Sequence, residues 1–242
     1  MRPVSQRITL EAVKIACRWF DIDASADQGD YKHASQFGWN EINRASEDDL
    51  MLEGGPIWFL DRWHAFSSYY LWPNKIDPNM PRMLKYAQSN AKEELEGLQG
   101  LSILNVDLSN REVTKRIWNR FYALASIGFR FRHVAASKCL HMQNPELFVM
   151  WDNKIATLGY GIGGFSDLIE DQNRAANEYV DHFLPAVQQK LTALLADVVA
   201  ETRCEPKEAP QRLRGMVSDS HEVRKTCAKI IDEYNYYTYT RS

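Results

Sequence analysis

The chain has 242 residues, of which 45% are hydrophobic and 25% charged, and its formal net charge is −3. This balance is typical of a globular protein with a sizeable core and excludes a disordered or fibrous chain. The four cysteines are far apart, without a C-x-x-C pair, which argues against a zinc or iron–sulfur cage and a dense disulfide framework. No apolar run approaches membrane-spanning length, and the first residues lack the apolar core of a signal peptide. A cytoplasmic protein with no membrane partner is therefore expected.

The hydrophobic pattern is helical along most of the first half of the chain. Amphipathic helices are expected at about 8–20, 39–51, 56–71 and 83–98. Pro56 follows two glycines and suits the first turn of a helix, because proline lacks an N–H that a helix start would leave unpaired. The segment Leu101–Leu108 is the one stretch with a strand-like pattern, and it is short.

The second half is also predicted to be helical. Ser109 or Asn110 can cap a helix that reaches about Ala125, and Asp152 can cap a short helix that ends at Gly159. Further helices are expected at 133–142, at 166–201 with a bend at Pro185, and at 218–236.

These elements predict an all-α protein. We expect one globular unit over residues 1–242, with two helical lobes around a cleft. Helical flanks at 1–109 and 166–242 would enclose a central block at 110–165.

Basic residues are concentrated in one segment of an otherwise acidic chain. Residues 110–138 contain seven lysines and arginines and one glutamate, a net charge of +6, whereas 1–109 carry −5 and 139–242 carry −4. Such a segment is typical of a surface that binds phosphate groups, and a solvated helix face gives the same pattern. The segment makes DNA the expected partner, and a solvated helix face without a partner remains the alternative.

Asp152 follows the segment 144–151, which leads from one predicted helix to the next. At the start of a helix a carboxylate can accept backbone N–H bonds, and the helix dipole favours its ionised form. An ionised aspartate that faces a cleft can also stabilise positive charge on a sugar or orient a water molecule. The pattern fits both a structural cap and a catalytic carboxylate.

The block that ends at Ile155 resembles the helix-hairpin-helix DNA glycosylases, the superfamily that includes endonuclease III and the adenine-mispair glycosylases. In that superfamily a Gly-rich hairpin precedes a helix that begins Lys-Thr-Ala or Ser-Thr-Ala, and a Val-Asp-Thr-His-Ile segment carries the catalytic aspartate. Ala135-Ala136 corresponds to the Thr-Ala pair and Trp151-Asp152-Asn153-Lys154-Ile155 to the aspartate segment. The distance in sequence from Ala136 to Asp152 fits the family pattern without a gap. The resemblance implies a glycosylase-like helical fold and cleavage of an N-glycosidic bond.

Three departures from the superfamily pattern bear on the chemistry. Arg130-Phe131-Arg132 replaces the Gly-x-Gly of the hairpin, so that arginine side chains would contact phosphate where bare backbone does in the family. The lysine nucleophile of the bifunctional members aligns with Val134, so Schiff-base lyase chemistry is not implied. The four-cysteine cluster of some members is absent, and neither a metal nor a cofactor is expected.

The resemblance and the local pattern together assign roles to individual residues. The expected catalytic residues are Asp152 and Lys138, which lies one turn beyond Val134 on the same helix face. The expected DNA contacts are Arg130, Arg132, His133 and Lys154. A base must leave the helical stack before its glycosidic bond can be cleaved. The aromatic residues expected to receive it are Trp58, Trp63 and Trp151, with the rest of the segment 58–72 as a further wall.

The sequence favours a monofunctional DNA glycosylase that hydrolyses the N-glycosidic bond of a flipped damaged or modified base. A modified base of phage DNA as substrate would make the protein a defence enzyme, and nothing in the sequence selects that role over repair. The alternative is a non-catalytic DNA-binding protein on the same scaffold, which the loss of the hairpin glycines and of the lysine favours. A helical protein-interaction module without affinity for nucleic acid is the third possibility.

Overall fold

The structure is a computed structural model that describes residues 7–63, 65, 77–127, 132–163, 171–217 and 225–241. All regular secondary structure within these ranges is helical, which confirms the all-α prediction. Over the same ranges no helix combines the length and the apolar character that a membrane span requires.

Six helices are described before residue 100: α1 (Leu10–Ile22), α2 (Ser25–Ser35), α3 (Glu47–Met51), α4 (Pro56–Arg62), α5 (Met80–Asn90) and α6 (Lys92–Glu96). Those described after residue 100 are α7 (Arg111–Ala125), α8 (His133–Gln143), α9 (Gln172–Asn177), α10 (Leu184–Thr202), α11 (Ala209–Val217) and α12 (Cys227–Tyr239). Short 3₁₀ turns lie at Trp39–Glu41 and Pro206–Glu208, and π-helical turns at Ile155–Gly159 and Glu178–Phe183.

The first and last helices of the described chain lie side by side. The Thr9 hydroxyl caps α1 by accepting a hydrogen bond from Ala12 N at 3.3 Å. The buried face of α1, which includes Val13 and Cys17, packs against α12, while α7 packs against α8 and α4 reaches both α2 and α8. The two ends of the chain and its central block therefore share one hydrophobic core.

The expected helix over 39–51 is wrong, because a second helix start interrupts it. The Ser46 hydroxyl accepts a hydrogen bond from Asp49 N at 3.0 Å, and the Asp49 carboxylate accepts one from Ser46 N at 2.9 Å. This reciprocal capping box satisfies two backbone donors at the start of α3 and so fixes a new helix at Glu47.

The strand-like pattern of Leu101–Leu108 does not produce a strand. The chain turns there, and Asn105 Oδ1 accepts a hydrogen bond from Ser102 N at 2.6 Å. Ile103 and Val106, three residues apart, are both buried, and Gln188 Nε2 on α10 donates to both of their carbonyls at 2.9 Å. A side-chain amide thus satisfies the backbone groups that a neighbouring strand would otherwise pair.

The helix predicted over 166–201 is described from Gln172, capped by Asp171, and its expected start at Ser166 or Asp167 lies outside the described residues. The π-helical turn Glu178–Phe183 immediately precedes α10, which carries Pro185 in its first turn. Proline has no N–H and its ring crowds the preceding turn, so a widened turn accommodates it. The irregularity falls next to the proline where a bend was expected.

Not all of the positive charge in the 110–138 segment reaches the surface. Arg120 is fully buried on α7, where its guanidinium donates to Ala87 O at 2.9 Å, to Gln143 Oε1 at 3.2 Å and to Gln88 Oε1. Burial lowers the pKa of Arg120 to about 10, so it remains charged at neutral pH. Arg120 therefore braces α5 and α8 from inside and adds nothing to a phosphate-binding surface.

Candidate functional site

One face of α8 holds residues 148–153, which carry Asp152 and which we call the Asp152 segment. His133, Ser137 and His141 lie four residues apart, so they share this face. The Ser137 hydroxyl accepts from Trp151 N at 3.0 Å and donates to Trp151 O at 3.2 Å. His133 Nε2 pairs with Asn153 Oδ1 at 2.9 Å, and His141 Nδ1 donates to Phe148 O at 2.7 Å. A single helix therefore fixes the Asp152 segment at three points.

The hydrogen bonds of His141 determine its tautomer. Because the carbonyl of Phe148 can only accept, Nδ1 carries the proton, and Nε2 accepts from the Tyr31 hydroxyl at 2.9 Å. Burial, with a contribution from the nearby charge of Lys229, lowers the pKa of His141 to about 3. The ring is therefore neutral at physiological pH, and it ties α2 to the Asp152 segment.

The predicted role of Asp152 as a helix cap is confirmed. Its Oδ1 accepts a hydrogen bond from Ile155 N at 2.8 Å, and its backbone carbonyl accepts one from Ala156 N at 2.9 Å. The side chain is partly exposed, and Oδ2 accepts no hydrogen bond from the described residues. One carboxylate oxygen holds the start of the helix, and the other can meet a ligand.

A cavity of about 110 Å³ lies beside Asp152, where α1, α2, α4, α8 and α12 meet the Asp152 segment. Its charged lining residues are Asp27, Arg62, Lys138, Asp152 and Asp232. Its apolar and aromatic lining residues are Phe20, Trp63, Met150, Trp151, Ile155 and Tyr236. Pockets that bury drug-sized ligands occupy about 300–1,000 Å³. The cavity, which we call the Asp152 pocket, is suited to a single ring system.

Lys138 supplies a cation to this pocket. Its Nζ donates to Trp63 O and lies 5.9 Å from the centre of the Trp63 ring. Burial lowers the pKa of Lys138 to about 8, and the carboxylates of Asp152 and Asp232 oppose that shift. The ammonium form therefore predominates at neutral pH, close enough to both carboxylates to interact with them.

Two indole groups of the pocket carry unused donors. Trp63 and Trp151 both have a buried Nε1–H without an acceptor among the described residues. A buried donor left unpaired costs about 1–3 kcal/mol. Both Nε1 atoms are themselves buried, so neither donor reaches the open space of the pocket.

Behind the pocket, Trp151 belongs to a packed aromatic cluster. Its ring stacks on Tyr179 at 5.4 Å between centroids and contacts Phe183 at 5.4 Å, while Phe121 stacks on Tyr179 at 4.6 Å. All four side chains are fully buried, and the Tyr179 hydroxyl donates to Val149 O at 2.9 Å. The cluster gives the Asp152 segment a rigid rear wall.

Below the pocket, α12 carries a buried group of charged side chains. Glu233 accepts from Lys225 Nζ at 2.9 Å and from Gln28 Nε2 at 2.6 Å, and Lys225 Nζ also reaches Asp21 at 2.8 Å. Lys229 Nζ lies 3.5 Å from Asp232 Oδ2 and 3.8 Å from Glu233, and it faces the rings of Tyr31 and Trp63 at 4.5 and 4.8 Å. Opposite charges pair throughout this group, which makes its burial tolerable.

The structure brings together four of the residues expected at the site: Asp152, Lys138, Trp63 and Trp151 all line the Asp152 pocket. Trp58, which was expected there too, lies in the core against His33, with ring centroids 5.9 Å apart, and is not among the described lining residues. Residues 64 and 66–76, the rest of the expected aromatic wall, lie outside the described residues.

The expected DNA contacts are placed differently from one another. Lys154 is exposed and Arg132, at the start of α8, is partly exposed, while Arg130 lies outside the described residues. His133 is only 2% exposed, and burial lowers its pKa, so its ring is a neutral brace for Asn153. The prediction that His133 contacts DNA is corrected on this ground, because a buried neutral ring does not reach phosphate.

Sequence reasoning missed Asp232 and the anchoring face of α8. Charged residues at 229, 232 and 233 stand among Ile230, Ile231 and Tyr234, a helical spacing that signals paired charges inside an apolar helix. The spacing of His133, Ser137 and His141 was the signal for the α8 face. Neither pattern identifies the residues that these side chains contact, since those residues lie elsewhere in the chain.

Across the described residues, no three His, Cys, Asp or Glu side chains are grouped as a metal site would require. No family model, no curated protein and no solved structure matches the chain. The function is therefore argued from the residues of the Asp152 pocket themselves.

Proposed function

We propose that the protein is a monofunctional DNA glycosylase that hydrolyses the N-glycosidic bond of a damaged or modified base held in the Asp152 pocket. The observation that carries the proposal is the meeting of Asp152, Lys138, Trp63 and Trp151 in one cavity, although these residues are spread over almost ninety positions of the chain. A carboxylate, a cation and aromatic walls are what cleavage of a flipped nucleotide requires.

The pocket suits a base better than an extended ligand. Its volume of about 110 Å³ fits one ring system, and the aromatic side chains offer faces for stacking. A base that is already damaged or modified unstacks at a lower cost, which favours its selection.

We assign to Asp152 the stabilisation of the sugar during cleavage. Departure of the base leaves positive charge on C1′ and the ring oxygen of the sugar, and the carboxylate of Asp152 stabilises that charge. The uncommitted Oδ2 then accepts a proton from the water that attacks C1′, while Oδ1 remains bonded to Ile155 N. The hydrogen bond of Oδ1 and the anchoring by α8 hold the carboxylate in place without reorganisation.

Lys138 acts in this proposal as a fixed charge and not as a nucleophile. Its ammonium donates a hydrogen bond to Trp63 O and interacts electrostatically with Asp152, so it places a positive charge in the pocket beside that carboxylate. A free amine would be needed to form a covalent bond with the sugar. Borohydride should therefore trap no covalent adduct between the protein and DNA.

The test is release of a base from oligonucleotides that carry diverse damaged and modified bases, read as abasic sites. We expect the parent to cleave at least one substrate and Asp152→Asn to be slower by about 10³–10⁴-fold. Asparagine caps helices as well as aspartate does, so the variant should keep its fold. The matched control is Asp171→Asn, since Asp171 also caps a helix but does not line the pocket.

The other outcomes separate the alternatives. DNA binding without base release, equal for the parent and Asp152→Asn, would support a non-catalytic DNA-binding protein. Absence of any affinity for DNA at low salt would overturn both and favour an interaction module.

A further inference from the structure

We propose that Asp232 is a second catalytic carboxyl of the Asp152 pocket, which donates a proton to the departing base, and that the substrate is consequently a neutral purine. The inference rests on the proposed function and deepens it. Asp152 would stabilise the positive charge on the sugar, and Asp232 would protonate the base. A different carboxyl group would thus act on each side of the N-glycosidic bond.

Asp232 is the carboxyl in the buried group of α12 with the fewest partners. Glu233 receives close hydrogen bonds from Lys225 and Gln28, whereas Asp232 has one contact, Lys229 Nζ at 3.5 Å from Oδ2. Its Oδ1 accepts no hydrogen bond from the described residues, although the side chain is only 5% exposed and lines the pocket. The pair with Lys229 uses only Oδ2, so Oδ1 remains available to a ligand in the pocket.

The position of Asp232 sets it apart from Asp152. Asp232 lies on α12, one turn before Tyr236, which also lines the pocket. Asp152 lies on the segment held by α8, lines the same cavity and is partly exposed. The ammonium of Lys138 interacts electrostatically with both carboxylates. A ring in the Asp152 pocket would thus lie beside two acids that come from different parts of the chain.

The surroundings favour the protonated form of Asp232. Burial raises the pKa of Asp232 to about 6, and the charge of Glu233 adds to the shift, while Lys229 and Lys138 oppose it. The other charged groups around the pocket are Asp27 from α2, Arg62 from α4 and Asp152. A carboxyl of this kind is protonated in a larger fraction of molecules near neutral pH than an ordinary aspartate is, and in that form it can give its proton to a ligand, as general acids do.

The proton balance of the step is complete. The C1′–N9 bond breaks and its electron pair goes to the purine, while the Asp232 carboxyl transfers its proton to an in-plane acceptor atom of the ring. The oxygen of water bonds to C1′ and its proton passes to Asp152. The products are a neutral free purine and an abasic sugar, with Asp232 ionised and Asp152 protonated until solvent restores both.

This chemistry selects a class of base. A neutral purine leaves readily only when a ring acceptor is protonated, so it gains most from Asp232. A cationic purine such as 7-methylguanine already carries the positive charge and does not need the proton. Loss of Asp232 should therefore affect the two kinds of substrate unequally.

The test compares duplex oligonucleotides that carry hypoxanthine, 8-oxoguanine or adenine with one that carries 7-methylguanine. For Asp232→Asn we expect at least a 100-fold slower release of the neutral purine that the parent cleaves, and a change of less than about threefold for 7-methylguanine. Asp152→Asn should slow both. The surface control is Asp197→Asn, which loses only an ion pair with Arg7 and should match the parent.

The pH profile of the parent keeps the proposal testable if Asp232→Asn does not fold. Release of a neutral purine should fall as the pH rises above about 6, as Asp232 loses its proton, and release of 7-methylguanine should not. Equal slowing of both substrates by Asp232→Asn, or identical pH profiles, would overturn the role of Asp232 alone. Cleavage of uracil but of no neutral purine would do the same. If the parent releases no base, the proposed function fails with it.

Discussion

Trp151 separates two regions of opposite character. Behind it, Phe121, Tyr179 and Phe183 are fully buried and pack ring against ring. In front of it, the Asp152 pocket combines the carboxylates of Asp152 and Asp232 and the cation of Lys138 around an open space. The rear region contributes stability, and the front region retains polar groups that the fold itself does not satisfy. This contrast is characteristic of a site in which a rigid wall positions groups intended for a ligand.

The contrast predicts that substitutions on the two sides of Trp151 affect different properties. Phe183→Ala removes a ring that contacts Trp151, Tyr160 and Tyr179 and should lower the free energy of unfolding by about 3–5 kcal/mol. Asp152→Asn should change that free energy by less than about 1 kcal/mol, because its capping bond is retained. Chemical denaturation measures both.

The control for Phe183→Ala is Phe37→Ala, since Phe37 is only partly buried and makes an edge contact with Trp39 at 6.3 Å. The decrease in the free energy of unfolding caused by Phe37→Ala should be clearly smaller than that caused by Phe183→Ala. Equal destabilisation by Phe183→Ala and Asp152→Asn would show that the pocket is as structural as the wall behind it.

The contrast also explains how much of the site could be predicted from the sequence. The caps at Asn110 and Asp152 were predictable, because they depend on a side chain and the backbone two or three residues later. The burial of Arg120 and the role of Asp232 were not, since each depends on partners from distant helices. The strand-like pattern of residues 101–108 could not be interpreted from the sequence alone, since the amide of Gln188, far away in the chain, satisfies the carbonyls of Ile103 and Val106. Local chemistry is written in the sequence, whereas burial of charge emerges only with the packing of the chain.

A second prediction concerns His141, which joins the two regions through Tyr31 and Phe148. Because the pKa of His141 is about 3 in the folded protein, against about 6.5 in an unfolded chain, the unfolded state binds more protons below pH 6.5. The stabilisation by the neutral ring is present above pH 6.5 and is lost as the pH falls towards 3. Between pH 7 and pH 5 we expect a loss of about 2 kcal/mol from this group.

The measurement is the free energy of unfolding at the two pH values for the parent and His141→Gln. Glutamine can donate to Phe148 O and accept from Tyr31 without titrating, so its profile should be flatter than that of the parent. The difference between the two profiles isolates His141, because the opposite contribution of Asp232 in the same range is common to both. Parallel profiles would mean that the ring is not held neutral.

The smallest effect is expected at Arg132, the partly exposed residue that immediately precedes α8. If Arg132 contacts one DNA phosphate, Arg132→Gln should weaken binding by about threefold to tenfold and reduce the slope of log affinity against log salt by about 0.9. Arg44→Gln, which removes an exposed arginine paired with Glu41 at 3.0 Å, is the control and should leave the slope unchanged. The loss should be the same for all DNA sequences, since a phosphate contact carries no base information. An unchanged slope for Arg132→Gln would place the DNA on another face and remove the link between the basic segment and the pocket.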